Sequence, residues 1–110
     1  MTKKQIETIR KRVKRGIKWL DKEKPNWINK VFFRKLSMGS TSTCICGQVF
    51  GDFNKVCGNQ VAGIEAILPY ETIISFGFEV TDSSYGKRQG HYDTLGEVWK
   101  EEIRKIKKHG

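Results

Sequence analysis

A mostly α fold, a small single domain over residues 1–110, is what this sequence predicts. Three observations predict it: apolar residues recur every three or four positions from Ile6 to Leu20, they recur again from Leu95 to Ile106, and Pro69 and Gly77 bracket a short helix between them. A zinc-tied central segment is expected to close the core, with one short β piece near residues 78–92.

The first helix is the strongest element. Ile6, Ile9, Val13, Ile17 and Leu20 mark one face, and Lys4, Lys11, Arg15, Lys18 and Lys22 stand on the opposite face at the same period. Lys24-Pro25-Asn26-Trp27 ends it, because proline lacks a backbone donor and disfavours helical geometry in the residue before it. A turn carrying Trp27, Ile28 and Val31 follows. Ser37 to Thr43, with five Ser/Thr residues and a glycine, predicts a loop that leads into a short helix carrying Ile45, Val49 and Phe53, with Thr43 as its cap.

Asn54 to Gly63 is glycine-bearing and irregular. Pro69, suited to a helix start, and Gly77, suited to a helix end, place a helix over Tyr70 to Phe76. Phe78 and Val80 are expected to be extended, and Thr81 to Gly90 to form a surface loop. Thr94 as N-cap, with Glu97 as its capping-box partner, is expected to open the last helix. Leu95, Val98, Trp99, Ile103 and Ile106 give that helix its apolar face, and Lys105, Lys107 and Lys108 near its end complement the helix dipole.

Charge is unevenly distributed about the net +9. Residues 1–35 carry 13 Lys/Arg against 3 Asp/Glu, residues 36–86 carry 1 against 5, and residues 87–110 carry 7 against 4. Basic ends around an acidic middle attract a polyanion or an acidic protein surface. The opening MTKKQIETIRKR has no apolar run of signal-peptide length, and nothing approaches a membrane span, so a cytoplasmic location and no membrane partner are expected.

With three cysteines, an odd count, a disulfide framework is disfavoured in that compartment. Cys44, Cys46 and Cys57 with His91 supply the three thiolates and one imidazole of a closed, structural zinc site. The alternative is that these cysteines are small buried hydrophobes. The lean core, 37% hydrophobic residues, and the closeness of the three cysteines favour the metal. Four protein ligands leave no open position for water, which argues against catalytic zinc.

No phosphate loop, Rossmann glycine pattern, His-Glu-X-X-His or serine elbow occurs, and Cys57, His91 and Asp93 are marked as a hydrolytic set by nothing beyond their presence. A binding protein rather than an enzyme is expected. The basic face, Lys4, Lys11, Arg15, Lys18 and Lys22, is the expected partner surface, set against the simpler reading of a solvated helix face.

The run Trp19 to Trp27, then Leu36-Ser37-Met38, Cys44 to Phe53, Phe76-Gly77-Phe78, and Tyr92, Leu95 and Trp99 resembles, in order and spacing, small uncharacterised proteins of bacteriophages and prophages. Where such proteins usually carry Leu before the Gly-Gln pair, this chain has Cys46. Small phage proteins without catalytic motifs are similar as a class to anti-CRISPR proteins. That resemblance implies a stoichiometric inhibitor that binds Cas9, or another host defence nuclease, and blocks guide or target-DNA loading. The runner-up is a basic phage accessory protein that binds DNA or RNA phosphates through the same five cations.

Overall fold

The computed structural model describes residues 3–39, 43–50, 56–57, 60–61, 68–79 and 88–109. Along the chain these form α1 (Lys3–Glu23), α2 (Trp27–Lys30), a 3-10 turn (Phe33–Lys35), α3 (Ile45–Phe50), β1 (Val56–Cys57), β2 (Gln60–Val61), α4 (Tyr70–Ser75) and α5 (Arg88–His109). The protein is mostly helical, as expected. The strands form a small antiparallel ribbon with Val56 opposite Val61 and Cys57 opposite Gln60.

α1 follows the sequence pattern. Val13 and Leu20 are fully buried, and Ile6, Ile9 and Ile17 pack against the core from its edge. The helix stops at Glu23, one residue before the Lys24-Pro25 junction. There the Lys24 amide still donates to the Leu20 carbonyl at 2.7 Å, and the Trp27 amide donates to Lys24 at 2.8 Å. The Trp27 indole N–H reaches back to Asp21 at 2.8 Å, so the buried ring is anchored to the helix it follows. A buried indole needs such a partner.

α4 ends as Pro69 and Gly77 predict. Gly77 adopts φ +74, the Phe78 amide donates to the Ile73 carbonyl, and the Gly77 amide donates to Ile74, both at 3.0 Å. This is a Schellman ending, and Phe78 and Ile73, at the positions that usually make its apolar contact, are both buried. The same turn lies against α1: a Cβ on Gly16 would stand 2.0 Å from the Phe76 carbonyl oxygen, and one on Gly77 would stand 2.8 Å from the Val13 nitrogen. Backbone meets backbone here because neither residue has a side chain.

The core is aromatic at its centre. Trp99 stacks on Phe78 (5.7 Å, 12°) and meets Trp27 edge-on at 6.2 Å. Trp19 contacts Phe50, Phe76 and Phe78 at 5.6–5.9 Å. Leu95, Val98, Trp99 and Ile103 of α5 are buried against this cluster as their spacing predicts. Each such side chain contributes about 1.5–3 kcal/mol of transfer free energy. Arg10 joins the two long helices, pairing with Glu101 at 2.9 Å and with buried Glu102 at 3.8 Å.

Three expectations are corrected. α5 begins at Arg88, not at a Thr94 cap: the Thr94 hydroxyl donates to the Gly90 carbonyl at 3.1 Å, a bond back to the preceding turn that lets a threonine sit inside a helix. Glu97 correspondingly lies 4.0 Å from Lys100 instead of closing a capping box. The described residues of the expected β piece near 78–92 are a bend at Phe78 and Glu79 and the first turns of α5, while 80–87 lie outside the described residues. Finally, α3 is capped by Cys44, whose sulfur accepts the Gly47 amide at 3.2 Å, and not by Thr43.

Candidate functional site

The apolar face of α1 is committed to the core, which leaves its opposite face to solvent. Lys4, Lys11, Arg15, Lys18 and Lys22 are all exposed there. At 1.5 Å rise per residue the row from Lys4 to Lys22 runs about 27 Å along a straight rod. Arg15 is held in place: its Nε donates to the Ser75 carbonyl at 3.1 Å, on the last turn of α4, where a cation is favoured. Among the described residues no carboxylate stands within ion-pair distance of Lys4, Lys11, Lys18 or Lys22. The five charges therefore add along one edge of the molecule.

The four residues expected to hold zinc are arranged differently. Cys44 caps α3 and Cys46 is its second residue, at 3% and 0% exposure, both members of the apolar core. Burial pushes the Cys44 thiol up and the Cys46 thiol well up, the latter helped by the neighbouring Cys44 and Glu79 charges. His91 is half-buried in the first turns of α5. Cys57 stands in β1, and its side chain lies outside the described residues. Among the described residues no three His, Cys, Asp or Glu side chains are gathered as a metal site, so Cys44, Cys46 and His91 do not form one by themselves. The zinc-tied segment is thus unsupported, and the two described thiols fit the alternative of buried apolar groups.

A second surface was not anticipated. Phe32 is 70% exposed, the one large apolar side chain so exposed among the described residues. The Lys35 ammonium lies 5.5 Å from its ring centroid, and the neighbouring Phe33 ring carries the Arg104 guanidinium at 5.0 Å and Lys100 at 5.9 Å. Sequence periodicity could not flag Phe32, since Phe32-Phe33 between Val31 and Leu36 reads equally well as core. A pocket of about 150 Å³ opens between Leu36, Met38, Tyr92 and Lys100. That volume is below the roughly 300–1,000 Å³ of ligand pockets.

No helix among the described residues is long and apolar enough to cross a membrane. Comparison of the chain with protein-family models, with curated proteins and with solved structures finds no match.

Proposed function

We propose that this protein binds nucleic acid through the exposed basic face of α1. The observation that carries the reading is the row Lys4, Lys11, Arg15, Lys18 and Lys22 on the solvent side of a helix whose other side is locked into the core. A rigid row of cations meets a phosphate backbone without the ordering cost that a flexible tail would incur. Duplex DNA carries a charge about every 1.7 Å of axis, so a row about 27 Å long passes many phosphates.

The experiment is fluorescence anisotropy of a labelled DNA duplex titrated with the protein over a series of salt concentrations. Each phosphate neutralised should contribute about −0.9 to the slope of log affinity against log salt. Replacing Lys11, Lys18 and Lys22 with Glu should abolish binding while the circular dichroism spectrum is retained. Arg15 is left intact in that variant because it also bonds Ser75. Unaltered binding would return the face to ordinary solvation.

The inhibitor reading implied by the phage resemblance is reached by the same preparation. A defined complex with purified Cas9 that persists at high salt, in the absence of oligonucleotide binding, would replace nucleic acid by a protein partner.

A further inference from the structure

We propose that Phe32 and the cations around it form a stacking site for single-stranded nucleic acid, separate from the basic face of α1. The proposal rests on the nucleic-acid reading above and names the strand that this second surface takes.

Exposure of Phe32 is built rather than incidental. Its neighbours Val31 and Leu36 are buried, and Phe33 is half-buried, so the chain turns one ring of the pair outward. The Gln48 side chain fixes that turn: its Oε1 accepts the Phe32 amide while its Nε2 donates to the Thr43 carbonyl at 2.7 Å. The 3-10 turn that follows, with the Lys35 amide donating to the Phe32 carbonyl at 3.0 Å, brings Lys35 back beside the ring. An aromatic side chain left in water forgoes the stabilisation of burial, and here a side-chain amide holds it there.

The chemistry around the ring selects the ligand. Lys30, Arg34 and Lys35 lie within three residues of Phe32 and are exposed, and Arg104 of α5 is brought to the same segment over the Phe33 ring. An exposed ring with cations at its edge matches an unpaired base and its flanking phosphates, the pattern by which single strands are held without sequence preference. A duplex offers its phosphates but no free base face. The two surfaces should therefore discriminate between strand forms.

The test is anisotropy titration of a fluorescein-labelled thymidine oligomer and a labelled duplex with wild-type protein, Phe32→Ala, Phe32→Trp and the Lys11/Lys18/Lys22→Glu variant. Phe32→Ala should weaken oligomer binding by about tenfold, the scale of one stacked base, and leave duplex binding unchanged, while Phe32→Trp restores it. Equal oligomer affinity for wild type and Phe32→Ala overturns the stacking site even where the α1 variant loses duplex binding, which keeps the α1 reading. Loss on Phe32→Ala with duplex binding untouched by the α1 variant does the reverse. No binding of either probe by wild type removes both. Self-association abolished by Phe32→Ala, seen by sedimentation, would reassign the ring to a second copy of this chain.

Discussion

Trp99 of α5 donates its indole N–H to the carbonyl oxygen of Gly77 at 2.7 Å, tying the C-terminal helix to the left-handed residue that ends α4. The bond is buried, and the same indole stacks on Phe78, one residue beyond Gly77. Trp99→Phe keeps an aromatic ring but leaves the Gly77 carbonyl without its donor. It should cost about 1–3 kcal/mol, read from the urea midpoint at unchanged slope.

The glycines separate sharply by what surrounds them. Gly16→Ala places a methyl 2.0 Å from the Phe76 oxygen, and Gly77→Ala adds a left-handed backbone to a 2.8 Å approach on Val13. Each should destabilise by about 1–3 kcal/mol. A Cβ added at Gly90 in α5 would meet nothing within 4 Å among the described residues outside its own helix backbone, so Gly90→Ala should stabilise by up to about 1 kcal/mol. Thermal melts of the three variants check the order, and a stable Gly16→Ala protein would refute the backbone crossing.

Arg10 faces two carboxylates of unequal burial, Glu102 at 7% and Glu101 at 46% side-chain exposure. The Glu102 Oε1 atom is buried, has no hydrogen-bond partner among the described residues and relies on Arg10 at 3.8 Å, while Lys105 serves the other oxygen at 3.5 Å. Removing Arg10 therefore leaves the buried Oε1 without its cation, with Lys105 on the other oxygen alone. Arg10→Ala should cost about 1.5–3 kcal/mol, and Glu101→Ala only about 0.2–1 kcal/mol, by denaturant titration.

Burial raises both described thiols, Cys46 the more, so the folded protein holds them neutral where an unfolded chain would ionise them. The unfolded chain then binds fewer protons, and stability falls as pH climbs. This contribution is complete below about pH 9, the ordinary thiol value, and is lost above it. Cys46→Ala should flatten that alkaline decline while lowering stability at neutral pH. An identical alkaline slope in wild type and variant would remove Cys46 as its source.

Elemental analysis decides the zinc expectation. With Cys44 and Cys46 serving as core thiols, chelator treatment should leave the melting temperature unchanged. One zinc per chain, released by Cys57→Ser with a drop in melting temperature, would instead establish the four-ligand site.

What the sequence determined by itself is local. The opposed apolar and basic faces of α1, its stop before Pro25, the Gly77 ending of α4 and the apolar stripe of α5 all follow from helical period and terminator chemistry within a few residues of each site. The basic half of the candidate site was legible for the same reason: once one face of α1 is buried, the other is exposed. Only the tertiary structure decided that α5 starts six residues before Thr94, that Cys44 caps α3, that Gly16 meets Phe76, that Glu102 is buried and that Phe32 is not. Each of these depends on which surfaces from distant parts of the chain come together, and residue spacing along one segment carries no record of what packs against it.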